Sequence, residues 1–105
     1  MRVGLKSDHV KFGNAVTGGY TSGTGFTISW QHGPLGRGPD RQAPNGAFVE
    51  DVIAAAMERL EAYQSTDFAC EENAYAITLL RSALRALEDR TRTREHRGVE
   101  GTHKV

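Results

Sequence analysis

The chain is poor in the residues that staple, span or coat. Of its 105 residues one is cysteine, Cys70, which excludes an internal disulfide framework and a multi-cysteine metal cluster. No apolar run approaches the length of a membrane span, and the first residues lack the apolar segment of a signal peptide, so a soluble cytosolic protein is the expectation. Net charge is zero, which argues against a protein that coats nucleic acid and so needs a clearly basic surface. All three prolines fall between residues 32 and 46, leaving the rest of the chain free to form regular structure.

The neutral total hides an uneven distribution. Residues 1–39 carry four Lys or Arg against one acid, residues 40–80 two against eight, and residues 81–105 seven against four. The C-terminal segment gathers its cations in "RTRTREHR" (residues 90–97), which leaves room for a local anion site. At this length one domain is expected, residues 1–105, with a β-rich and loop part over 1–46 and a helical hairpin with C-terminal tail over 47–105. A chain this small buries a modest fraction of its surface, so oligomerisation is a source of further core.

Residues 1–29 are rich in Gly, Thr and Ser. "MRVGLKSDHVKF" and "GFTISW" read as short alternating strands, with "TGGYTSGTG" as the connection between them. "HGPLGRGPDRQAPNG" (32–46) reads as a loop, within which "GPLGRGP" (33–39) reads as a flexible lid or linker. From Ala47 the period becomes helical, with Phe48, Val52, Ala56, Leu60 and Tyr63 in line and Val49, Ile53 and Met57 beside them. Asn45 is the expected N-cap, and Glu50 and Asp51 suit the first turn. "QSTD" interrupts the pattern, and a second helix is expected from about Phe68, capped by Asp67, to about Arg97, with Gly98 as its stop. The fold class is therefore α+β: a small N-terminal antiparallel sheet followed by an antiparallel α-helical hairpin.

The inner stripe of the second helix reads Asn73, Ile77, Leu80, Leu84, Leu87, Thr91, Arg94. Its polar ends must find partners or stay wet. One reading makes Asn73 a loop cap and the arginines solvated helix-end charges. The other takes Arg90 and Arg94, spaced i, i+4, as a two-guanidinium clamp for phosphate, with Tyr63 offering a flat face to a base. Asn73 and Arg94 stand 21 positions apart, roughly 32 Å along a helix. One small ligand reaches both only where two protomers run antiparallel, so such a site lies between chains.

From Trp30 to Val105, about three-quarters of its length, the chain resembles the phage hairpin superfamily that includes the Thoeris anti-defence proteins and an anti-CBASS relative. The resemblance is carried by "WQHGP", "PNGAFVEDV", "RLEAYQ", "FACEENAYAIT" and "RTRTREHRGVEGTHKV", in that order and spacing. The β-rich N-terminus is more similar to the Thoeris branch. The resemblance implies a sponge: an oligomer built from helical hairpins, in the family often a hexamer, that binds cyclic nucleotide alarm signals in the cytoplasm of the infected host without cleaving them. The implied ligands are cyclic ADP-ribose isomers and cyclic di- and trinucleotides. The family's aromatic, Asn and two-Arg pattern falls on Tyr63, Asn73, Arg90 and Arg94. The resemblance also asks for a basic or polar group from the loop before the first helix, for which Arg37 and Arg41 are candidates. Arg97 and Thr102 are candidates for a second, trinucleotide site.

Other motifs are weaker. Trp30 is either a core or interface anchor or a contact to a base. "GPLGRGP" lacks the lysine of a phosphate loop. The four histidines have no metal-ligand spacing, and Cys70 without a histidine partner reads as core packing. "GVEGT" is either an anion-binding backbone nest or a helix stop. No nucleophile, base and oxyanion donor stand together, so a non-enzyme is expected. The rival readings are a nucleic-acid-binding module, an assembly protein without a ligand, and an enzyme that cleaves the same signals.

Overall fold

The computed structural model describes residues 4–104; Met1–Val3, which open the first expected strand, and Val105 lie outside the described residues. The fold is α+β, with three antiparallel strands followed by two helices. It divides into two compact units, one of residues 1–48 with 98–105 and one of residues 49–97. Among the described residues no helix is long and apolar enough to cross a membrane.

The first unit is built on a meander of β1 (Lys6–Phe12), β2 (Ala15–Gly23) and β3 (Phe26–Ser29), in the order β1-β2-β3. Phe12 pairs with Ala15, so Gly13 and Asn14 make a two-residue hairpin loop, and Gly13 takes the positive φ of +60° that the first position of a II′ turn requires. The Gly-rich stretch expected as a connection is instead the central strand. Close neighbours explain its glycines: a Cβ on Gly19 would sit 1.8 Å from the Asp8 carbonyl oxygen, and one on Gly18 2.5 Å from His32 Nδ1. The register slips between Val10 and Lys11, leaving Thr17 as the extra residue of a bulge. Thr17 is buried, its hydroxyl donates to the Val10 carbonyl (3.3 Å), and its carbonyl accepts from the Gly33 amide (2.7 Å).

Trp30 follows β3 and pairs with Ala47 in a parallel bridge. Its indole donates to the Thr21 hydroxyl at 2.9 Å, so the half-buried ring is an anchor within its own unit. The bridge also closes the loop 32–46 at its neck. Asn45 does not cap a helix, because α1 starts four residues later. Its side chain instead accepts from the His32 amide (2.8 Å) and donates to the His32 carbonyl (3.1 Å), while its own amide donates to Gln31 Oε1 (2.8 Å).

The second unit is the hairpin of α1 (Val49–Gln64) and α2 (Glu71–Arg97). The half-buried face of α1 is Val52, Ile53, Met57, Leu60 and Gln64, whereas Ala56 and Tyr63, expected on that face, are exposed. On α2 the corresponding face runs Asn73, Ala76, Ile77, Leu80, Ala83, Leu84, Leu87, Thr91, Arg94. This reproduces the expected stripe with alanines added at its edges. Of the described apolar side chains only Ile77 (8% exposed) and, in the first unit, Val99 (9%) are buried, and Tyr75 and Leu79 are exposed.

Gln64 closes the link between the helices. Its side-chain amide donates to the Cys70 carbonyl (3.0 Å) and its oxygen accepts from the Cys70 amide (2.9 Å). Cys70, not Asp67, therefore stands immediately before α2, and its sulfur accepts from the Asn73 amide at 3.4 Å. The thiol is exposed rather than packed in a core, because the turn carries it on the outside of the hairpin end. Gly98 ends α2 with φ +75°, as a left-handed C-terminal residue does.

Candidate functional site

The two ends of the hairpin carry different chemistry. At the turn end, Tyr63 stands one residue before the close of α1 and Asn73 in the first turn of α2. They are linked through the bonded run Gln64–Cys70–Asn73 described above. Tyr63 is 44% exposed, enough to leave ring surface for a ligand. Arg59, one turn earlier, places its guanidinium carbon 5.5 Å from the centre of that ring, within cation–π range. The sequence reading did not single out Arg59. The signal was present as Arg and Tyr at i, i+4 on one helix.

At the other end of α2, Arg90 is exposed and Arg94 half-buried, one turn apart on an unbroken helix. Arg92, between them in sequence, is paired with Asp89. Arg97 is the last residue of α2 and is exposed. His96 is exposed beside it. Because α2 is continuous from Glu71 to Arg97, the Asn73 and Arg94 positions are roughly 32 Å apart within one chain. Tyr63 and Asn73 thus share one end of the hairpin, and Arg90, Arg94 and Arg97 share the other.

Arg37 and Thr102 belong to the first unit, in a clasp between the loop and the C-terminal tail. The Gly36 amide donates to the Gly101 carbonyl at 2.7 Å. Arg37 Nη1 donates to the Glu100 carbonyl at 3.0 Å. Arg41 forms a two-pronged pair with the Glu100 carboxylate, Nη1 to Oε1 at 2.5 Å and Nη2 to Oε2 at 3.0 Å. Thr102 turns its hydroxyl back to the Val99 carbonyl (2.5 Å) and accepts from the Lys104 amide (3.2 Å). The loop 32–46, including the "GPLGRGP" expected to be a flexible lid or linker, is thus tied to the tail. The two arginines of this loop, offered as anion ligands, already hold oxygens of Glu100. "GVEGT" continues from the helix stop into this clasp, with Val99 buried and Gly101 at φ +78°.

Comparison with known proteins places the sequence in a lineage. A Thoeris anti-defense 1 protein of Bacillus phage SBSphiJ7 is 47% identical over 77 residues, which cover 73% of this chain and 51% of that protein. The chain spans about half the length of this curated relative. The family model "Acb2/Tad1, hairpin domain" matches residues 25–92, a stretch that holds β3, the loop, α1 and most of α2. Tyr63, Asn73 and Arg90 lie inside the matched stretch; Arg94, Arg97 and Thr102 lie beyond it. A family match over more than half of the chain and close identity over nearly three-quarters of it agree: the chain belongs to the Acb2/Tad1 hairpin family.

Proposed function

We propose that this chain is a phage anti-defence protein that binds and sequesters cyclic nucleotide signals, cyclic ADP-ribose isomers or cyclic oligonucleotides, without cleaving them, in the cytoplasm of the infected bacterium. The observation that carries the reading is the division of the hairpin. At its turn end stand an aromatic at the close of α1 and an amide in the first turn of α2, and at the other end of α2 a pair of arginines one turn apart. A base needs a stacking face and edge hydrogen bonds, and phosphates need guanidinium donors. An antiparallel pair of α2 helices from two protomers joins the two ends into one pocket. Tyr75 and Leu79, exposed on α2, offer apolar surface for that pairing. The functional unit in this reading is a homo-oligomer built from dimers, up to a hexamer.

Tyr63 stacks on the base, Asn73 bonds its edge or a ribose hydroxyl, and Arg90 and Arg94 hold the phosphates. Arg37 is the candidate for the further basic group from the loop before α1, and Arg97 and Thr102 are the candidates for a second, trinucleotide ligand. For Arg37 and Thr102 this requires the loop–tail clasp to exchange its bonds for those of the ligand. The reading is non-catalytic: the Cys70 thiol is exposed and its sulfur accepts from the Asn73 amide, and the proposed site is made of donors and a stacking face.

Native mass spectrometry with a panel of cyclic ADP-ribose isomers and cyclic di- and trinucleotides tests this directly. The expected result is an oligomer that carries ligand and releases it with unchanged mass on heating. Replacing both Arg90 and Arg94 by Ala removes two charge-assisted contacts of ~1.5–3 kcal/mol each, so affinity falls about 10²- to 10⁴-fold. An oligomer that ignores the whole panel points to an assembly protein. Steeply salt-dependent binding to DNA or RNA points to a nucleic-acid module, and a released product of altered mass to an enzyme.

A further inference from the structure

We propose that Arg59 is a further ligand-binding residue of the same site: its guanidinium covers one face of the Tyr63 ring, holds that ring, and presents donors to a phosphate of a nucleotide whose base stacks on the ring's other face. The inference rests on the sequestration reading and deepens it, by naming a third arginine and by requiring a ligand that carries base, sugar and phosphate together.

Three observations converge. First, the guanidinium lies 5.5 Å from the centre of a ring that is itself 44% exposed, so a partly solvated aromatic is backed on one side by a cation. A flat cation on one face leaves the opposite face for another flat group, and it withdraws electron density from the ring toward itself. Second, among the described residues no carboxylate pairs with Arg59. Glu61, two positions on, pairs instead with Arg81 at 3.8 Å, and the Arg59 donors stay available to an anion. Third, Arg59 lines a shallow, open depression of about 270 Å³ on the exposed face of α1, together with Ala55, Glu58 and Ala62. Two alanines leave room there that longer side chains would fill.

Glu58 is the fourth residue of that depression. Its carboxylate repels phosphate and accepts from hydroxyls, so the depression suits a ribose beside a phosphate better than a bare anion. A free inorganic phosphate therefore gains little here, and a nucleotide gains on three chemical groups at once.

The test uses the full chain and whichever member of the cyclic ADP-ribose or cyclic oligonucleotide panel the wild type binds. Affinity is measured by calorimetry at low and moderate salt for the wild type, Arg59→Met, Arg59→Lys and Arg90→Ala/Arg94→Ala. Arg59→Met keeps the apolar stem along the helix and removes only the cation. We expect it to weaken binding about tenfold and to make the affinity less sensitive to salt. Arg59→Lys, which keeps charge and loses the flat fork, should fall between. Oligomer mass and helical circular dichroism should be unchanged in all three variants. If the wild type binds, the Arg90/Arg94 pair is required, and Arg59→Met binds like wild type with the same salt response, the proposal for Arg59 is overturned while the sequestration reading stands. If Arg59→Met loses affinity only together with helicity and with an unaltered salt response, its role is in the fold and the proposal is likewise overturned. A wild type that binds no member of the panel overturns both.

Discussion

The clasp between loop and tail permits the sharpest prediction. Glu100→Ala removes both prongs of the Arg41 pair, at 2.5 and 3.0 Å. The Glu100 side chain is 17% exposed and that of Arg41 41%, which puts the pair between a buried ion pair and a solvated one. A buried charge-assisted hydrogen bond contributes about 1.5–3 kcal/mol and an exposed ion pair about 0–1. We take about 1–2 kcal/mol for this pair, and a change of that size shifts an opening equilibrium roughly 5- to 30-fold. The reporter is the Gly36 amide, which donates to the Gly101 carbonyl and is freed when the tail lifts from the loop. Its hydrogen exchange should accelerate by that factor in Glu100→Ala. The Trp30 amide, bonded to Gly19 in the same unit, should exchange at the wild-type rate. Gly101→Ala should be more severe. Its Cβ would lie 2.3 Å from the Gly36 oxygen, and the residue would be held at φ +78°, so protection at Gly36 should be lost outright. Wild-type exchange at Gly36 in Glu100→Ala would refute the reasoning, because it would mean that the backbone bonds alone hold the tail.

Two further perturbations test the hairpin. Gln64→Ala deletes the side chain that bonds both the amide and the carbonyl of Cys70; it should cost about 1 kcal/mol and lower the midpoint of thermal unfolding by about 5 °C, and a shift within error would show that the turn does not depend on this bridge. Ile77→Ala empties the one buried position of α2 and should lower stability in urea by about 2–4 kcal/mol, whereas a loss well below 1 kcal/mol would place the hairpin's core elsewhere.

The fold class was legible because it depends on local pattern, and the family because its motifs stand in order along the chain. The Gly- and Pro-rich loop, the helical period from Ala47 and the stop at Gly98 are each readable within a few residues. Three expectations failed for a common reason. The Gly-rich "TGGYTSG" became the central strand because its glycines admit the Asp8 backbone and His32, neighbours that sequence order does not reveal. Asn45 went to His32 and Gln31 instead of a helix start, and the caps before α2 passed from Asp67 to Cys70 once Gln64 bonded across the turn. The inner face of α1 also turned, exposing Tyr63 and half-burying Gln64, because the hairpin crossing and not the period alone selects which edge of an apolar stripe is covered.

The candidate site divides in the same way. The sequence by itself supplied the candidate side chains and one distance. It placed the aromatic, the amide and the arginine pair, and the constant rise of a helix sets Asn73 and Arg94 roughly 32 Å apart wherever that helix is unbroken. Only the tertiary structure decided which cations are already engaged. Arg41 and Glu100 are 59 positions apart, and Arg37 and Glu100 63. No period or spacing marks such pairs, because the loop and tail meet only after the sheet and the bridge from Trp30 to Ala47 have set the path of the chain. A contact four residues apart on one helix, such as Arg59 with Tyr63, follows from helical geometry, whereas a contact some sixty residues apart follows from the fold.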